Sequence, residues 1–357
     1  MRNGLILVCV VFTILSCDDK GDNQRVDNFD RGPMLTNMAE NIIMPAYADF
    51  ATKTGALTDS IDLLLDTVTA ENLEATQAAW LDAKLSWKYA QIFNFGPVDT
   101  ELLEANIDYW PTSGVGIENE IMDFDGSTTY LDLVGANKKG LVAVEYILFH
   151  ADSTTVIGEL KEGKRLSYLS AVSKELETNA DLILSLWNGG YKSSFVENTG
   201  NDVGSSATAL ANELIMLVEK IKNYKVALPA GISTGGILSP QSVESYYAKE
   251  SMAMILKNLD AIEDVFAGKA GQGFDDYLDT LALDNGVEKL SSKIIAQIEK
   301  CRTTAESIDG PLQDALDAQS ATIEQLFIDL QGLTVLMKTD MMSRLGLIVT
   351  FSDNDGD

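Results

Sequence analysis

"ESMAMILKNLDAIEDVFAG", residues 250–268, carries Met252, Ile255, Leu256, Leu259, Ile262 and Phe266 at steps of three and four. That spacing lines them up on one face of an amphipathic helix. Ser239-Pro240 offers a cap and a first-turn proline ahead of this helix, and Gly268 can end it. A second long pattern fills "ENLEATQAAWLDAKLSWKYAQIFNFGP", residues 71–97. Trp80 and Trp87 are seven apart and so share a face, and Gly96-Pro97 stops the pattern. Further helices fit about 35–68, 137–150, 157–187, 204–223, 286–306 and 312–346. Strand alternation is nearly absent, so the chain is expected to be all-α.

"WNGGYKSSFVENTGNDVGSS", residues 187–206, clusters Gly, Ser and Asn between two long helical blocks and reads as a domain boundary. Each side holds about four long helices, the content of a helix bundle. The expected division is an N-terminal bundle over 34–190 and a C-terminal bundle over 204–357.

The first residues, "MRNGLILVCVVFTILSCDDKGDN", combine one basic residue with a short apolar core. That core is too short to span a bilayer and reads as a signal peptide over 1–16. Ile14-Leu15-Ser16-Cys17 resembles a bacterial lipobox, in which Cys17 carries the lipid. The competing reading is an ordinary signal peptide with an incidental cysteine. Residues 17–33 then form a flexible tether, and the membrane is met through lipid alone. The protein is expected in the cell envelope, at the outer membrane, facing the periplasm or the exterior.

With 357 residues, 46% of them hydrophobic, the chain can bury a large core. A formal charge of −28 argues against nucleic acid as a partner. Of three cysteines, Cys9 leaves with the signal and Cys17 takes lipid. Cys301 stays alone, which excludes an intramolecular disulfide, and it reads as helix packing. The single histidine, His150, excludes metal sites built from several imidazoles or thiolates. Any metal must therefore rest on carboxylates and carbonyls, with His150 as the one imidazole that could join them, donors suited to iron or another hard cation, and no cofactor follows from the residues alone.

"GISTG", Gly231 to Gly235, matches a nucleophile-elbow pattern, but the next helix starts too late, and a glycine turn explains it better. The terminal "DNDGD" spaces Asp353, Asp355 and Asp357 like the opening of a calcium loop. The loop's closing glutamate is missing, and a solvated tail fits better. "KKGLVAVEYILFH", residues 138–150, sets Glu145 in an otherwise apolar run. A carboxylate there must find a cation or hydrogen-bond donors, or take up a proton. A lysine from a neighbouring helix is the plain structural answer, and a site role is the alternative.

Six blocks in order resemble the imelysin-like proteins, peptidase family M75, including lipoproteins of the Bacteroidetes type. They are "WLDAKLSWKYAQIFNFGPV", "IDYWP", "GLVAVEYIL", "KVALPAGISTGG", "VESYY" and "LGLIVTFSDNDGD". The resemblance runs from about residue 35 to the end. It implies two helical bundles about a pseudo-two-fold axis, an extracytoplasmic location and a link to iron acquisition.

The family signature G-x-H-x-x-E lies in the groove between the bundles. Carried over, Gly140 matches the glycine and Glu145 the glutamate, but Val142 stands at the histidine. Valine can neither ligate a metal nor move a proton, which leaves Glu145 as the one motif ligand. In the tryptophan block the family reads W-x-x-A-R-x-x-W-E-x-S-E. Here Lys84 replaces the arginine, Lys88 and Gln91 replace the glutamates, and Ala90 replaces the serine.

Lys84, Lys88 and Gln91 share one helical face, so either lysine is expected to neutralise Glu145. Asp108 and Trp110 complete the candidate groove. The reading that follows is a non-catalytic binding or accessory component of iron uptake, with cell-envelope iron-uptake proteins as partners. The alternatives are an M75-type metallopeptidase and a pseudo-enzyme scaffold that recognises a partner protein.

Overall fold

Helix ends and breaks in this chain follow local chemistry. The computed structural model describes residues 27–127, 129–281 and 289–351. Eight helices carry the architecture: α1 (Met44–Asp66), α2 (Ala70–Ala90), α3 (Gly140–Phe149), α4 (Arg165–Leu186), α5 (Ser206–Lys220), α6 (Ser251–Ala267), α7 (Leu290–Glu306) and α8 (Ser320–Thr334). No strand occurs among the described residues, in agreement with the all-α reading.

Hydroxyl side chains start two of these helices. Thr69 accepts from the Asn72 amide at 3.2 Å and opens α2, and Ser205 accepts from the Thr208 amide at 3.3 Å and opens α5. Thr69→Ala should lower stability by about 1 kcal/mol, read as a lower urea midpoint with unchanged slope.

Two π-helical segments stand just before prolines. Met38–Ile43 precedes Pro45, and Ile221–Ala227 extends α5 towards Pro229. A proline cannot donate within a helix, and widening the turn before it lets the chain continue. In the second segment the wider register leaves Lys222 and Lys225 buried.

Three expected helices divide differently. The 157–187 pattern becomes Ser153–Leu160 and α4, broken around Gly163 at φ +62°. The 312–346 pattern splits at Gln319, between Leu312–Ala318 and α8. Pro240 opens only a 3-10 turn, Pro240–Ser242, and α6 begins at Ser251. Ser245 (φ +52°) and Lys249 (φ +62°) hold the intervening backbone out of helical geometry. Gly268 ends α6 at φ +69°, as expected.

In one set of helices α1 packs on α2 and α4, and α3 packs on the same two. In the other, α6 packs on α5 and α7, and α8 packs on α5 and α7. The sets meet where α2 lies on α6, and buried apolar residues from both form one continuous cluster. Besides Ile255, Leu259, Ile262 and Phe266, α6 buries Met254 and Val265. Met252 and Leu256 are half-buried at the edge of the core.

The signal segment, Cys9, Cys17 and the terminal acidic run at 353–357 lie outside the described residues. Residues 27–33, expected to end the flexible tether, pack against the body. Phe29 stacks on Tyr277 with ring centroids 4.5 Å apart, and helix Arg31–Asn37 has already begun. No helix among the described residues is long and apolar enough to cross a membrane.

Candidate functional site

Lys84 and Lys88 are one helical turn apart on α2 and fully buried. Both ammonium groups meet Asp108, which follows the short helix Leu103–Ile107. Lys84 Nζ lies 2.5 Å from Asp108 Oδ1, and Lys88 Nζ contacts Oδ2. Lys88 also reaches Glu244 Oε1 at 2.6 Å and donates to the Gln91 side-chain carbonyl at 2.7 Å. Lys225, from the π segment after α5, lies 2.5 Å from Glu244 Oε2 and donates to Asn258 Oδ1 at 2.5 Å. Asn258 on α6 donates back to the Lys88 carbonyl at 2.6 Å, which ties the network to α2. The Trp110 ring lies beside both Lys88 and Lys225, 5.9 and 5.5 Å from ring centroid to nitrogen.

Asp108 Oδ2 and both Glu244 oxygens face ammonium groups without an aligned hydrogen bond. Burial works against the Asp108 charge, yet Lys84 and Lys88 hold its carboxyl below the usual range. Burial likewise opposes ionisation of Glu244, and Lys225, Lys88 and Lys84 overcome it. Burial pulls Lys225 down to about 7, with Glu244 as the chief opposing charge.

Glu145 is placed differently from expectation. Its side chain is 1% exposed, but neither Lys84 nor Lys88 bonds to it. Glu145 Oε1 instead accepts the backbone N–H groups of Tyr247 at 2.9 Å and Ala248 at 3.1 Å. Those amides are available because residues 243–250 are not helical. Burial pushes the carboxyl up to about 7, and the Lys84 charge and the two amides only partly oppose this. The lysines are drawn to Asp108 and Glu244, so the expected Lys–Glu145 pair does not form.

Gly140 begins α3 at φ +64°, and a Cβ there would lie 2.4 Å from the Ile107 carbonyl oxygen. Its missing side chain lets α3 press on the end of helix Leu103–Ile107, which delivers Asp108. Val142 is fully buried yet falls outside the continuous apolar cluster that holds its neighbours Leu141 and Ala143. Trp80 donates to the Leu141 carbonyl at 2.9 Å and fixes α3 against α2, a scaffold role.

Lys84, Lys88, Gln91, Asp108 and Trp110, grouped in the sequence reading, lie together in the structure, which adds Glu244, Lys225 and Asn258. Glu244 and Lys225 sit within "VESYY" and "KVALPAGISTGG", two of the blocks that carried the resemblance. That position was the available signal. Asn258, inside an ordinary amphipathic helix, gave none.

Other candidates fall away from this centre. Ser233 is exposed on a 3-10 turn flanked by Gly231 and Gly235 at positive φ, as a glycine turn should be. His150 closes α3 and pairs with Glu159 at 2.8 Å. Cys301 is buried, and burial pushes its thiol up to about 12, so it is no nucleophile.

A resident metal does not fit this centre. Asp108 and Glu244 already face ammonium groups, and position 142 offers no lone pair. Among the described residues no three Asp, Glu, His or Cys side chains converge as ligands. The arrangement neutralises buried charge and joins α2, α6 and the π segment.

The sequence pattern of the Imelysin family, Peptidase M75, matches residues 43–336. "Iron-regulated protein A" of Synechococcus elongatus is 20% identical over 249 residues, covering 67% of this chain and 65% of that protein. The chain thus spans just under two thirds of that relative's length. The crystal structure of an imelysin-like protein from Psychrobacter arcticum matches with a TM-score of 0.73 and 21% identity, over 90% of this chain and 97% of that one. That of an iron-regulated protein A precursor from Parabacteroides distasonis matches with a TM-score of 0.76 and 18% identity, over 88% and 94%. At these identities the solved structures speak for the fold alone.

Proposed function

The chain belongs to the imelysin family, Peptidase M75, and from that membership we propose that it serves as a non-catalytic accessory protein of iron acquisition in the cell envelope. One observation carries the proposal: the ammonium groups of Lys84, Lys88 and Lys225 occupy the carboxylates of Asp108 and Glu244, and a valine, Val142, stands at the position of the motif histidine. A metallopeptidase needs an open coordination position and a base aimed at water. In this centre the carboxylates are spent on lysines, and Glu145 Oε1 is spent on two backbone amides. The names of the Synechococcus and Parabacteroides proteins support the iron context. The N-terminal pattern supports a lipid on Cys17 and attachment to the outer membrane. The two helix sets are assigned to the bundles at 34–190 and 204–357, and the partner is a protein of the same uptake system.

The mature domain, incubated with a peptide mixture and titrated with zinc and ferric ions, should cleave nothing and capture neither ion stoichiometrically. A strain lacking the gene should grow more slowly when iron is limiting. Cleavage that disappears in Glu145→Ala would restore the peptidase. Normal growth without iron would remove the iron assignment.

A further inference from the structure

Beside the lysine network lies a cavity of about 520 Å³, between the 3-10 turn after α2 and the face of α5 with its π extension. Its size suits a small organic molecule. Three carboxylates line it, Glu104, Glu213 and Glu219, together with apolar surface from Ile92, Leu217 and Leu228. Glu104 is engaged by Lys220 and by the Asn94 amide.

Two side chains in the lining are more than nine-tenths buried and leave a polar atom without a partner. Gln91 is 5% exposed, and its side-chain NH2 is unpartnered although its oxygen accepts from Lys88. Glu219 is 7% exposed, and its Oε1 is unpartnered, although Oε2 pairs with Lys222 at 2.9 Å and accepts from Asn223 at 2.8 Å. Buried polar groups are normally hydrogen-bonded, so orphans that border a cavity mark where a ligand's polar atoms belong. Gln91 needs an acceptor and Glu219 needs a donor, and a hydroxyl supplies both. The remaining carboxylate, Glu213, calls for a cation.

We propose that this cavity binds a small organic ammonium ion with an apolar, hydroxyl-bearing stem. Its ammonium sits against Glu213, and its hydroxyl meets Gln91 or Glu219. An organic cation fits better than a metal ion, because the three carboxylates do not converge as ligands. The site is separate from the lysine network, with Gln91 as the residue they share.

Burial and the Glu104 charge push the Glu213 carboxyl up to about 8, with Lys220 opposing and Asp99 adding to the rise. Tyr47 is a further titratable neighbour, its own phenol raised chiefly by burial and next by Glu213. Capture of an ammonium ion near neutral pH should therefore expel a proton from Glu213.

The test is calorimetric titration of the full mature chain with aminohexanol and tyramine, against uncharged hexanediol and tyrosol, in buffers of differing ionisation heat. At least one amine should bind saturably with a Kd of about 1 mM or tighter. Its uncharged counterpart should bind about tenfold more weakly or worse. Binding should release a proton, seen as a buffer-dependent heat. Glu213→Gln should abolish that release and weaken the amine about tenfold. Met216, 41% exposed on the cavity lining, permits a second variant, since Met216→Trp fills the cavity from its solvent side. That variant should lose binding with an unchanged unfolding midpoint. Absence of saturable binding by either amine, or equal binding by Glu213→Gln, would overturn the proposal.

Discussion

Asp108→Ala should lower the folding free energy by about 3–5 kcal/mol, the range for breaking a buried ion pair from one side. Among the described residues Asp108 is the only bonded carboxylate of Lys84 and one of two for Lys88, and both lysines are buried. Its removal strands the Lys84 ammonium in a medium that stabilises charge poorly. Lys84→Met should cost less, within about 2 kcal/mol, because Asp108 keeps Lys88 and the methionine stem fills similar volume. In urea denaturation both variants should move the midpoint, and the double variant Lys84→Met with Asp108→Ala should lose less than the two single losses added together. Equal midpoints for Asp108→Ala and the parent protein would mean the network contributes nothing to stability. A larger loss for Lys84→Met than for Asp108→Ala would mean that the charges are held by other groups.

Glu145→Gln should make the protein more stable above neutral pH. The folded carboxyl is raised from 4.5 to about 7, chiefly by burial. Between those values the unfolded chain gives up this proton while the folded chain keeps it, so stability falls as pH rises. Above about 7 the loss is complete, and the shift corresponds to about 3 kcal/mol. Glutamine resembles the protonated acid and still accepts from the Tyr247 and Ala248 amides. The two proteins should therefore match near pH 4 and diverge in favour of Glu145→Gln by about 3 kcal/mol at pH 8. Asp108 and Glu244 act in the opposite sense and in a lower window. Their pKa values are depressed, so their contribution is present above the ordinary carboxylate range and is lost as pH falls below it. Denaturation midpoints of both proteins at several pH values isolate the Glu145 effect, because groups away from Glu145 titrate alike in the two. A difference that does not vary with pH would mean that folding leaves the Glu145 pKa unchanged.

Where the sequence reading held, the deciding interactions were local. The six apolar positions of 250–268 lie within one helix, and Gly268 at positive φ ends it. Lys84, Lys88 and Gln91 share a face because a helix brings residues three and four apart together, and Lys88 does meet Gln91. The helix start at Pro240 failed for the converse reason. The 243–250 segment gives two of its amides to Glu145, about a hundred residues away in sequence, and no local propensity records that competition.

The sequence by itself determined the all-α class, most of the helices, the family and the presence of a valine at position 142, since each is written in residue type and short-range spacing. Only the tertiary structure decided which carboxylate each lysine meets, that Glu145 rests on backbone amides, and that Lys225 and Glu244 complete the centre. Coulomb energy and desolvation depend on distance and burial, and α2, α6 and the segments at 108, 225 and 244 come within bonding reach only when the two helix sets pack together.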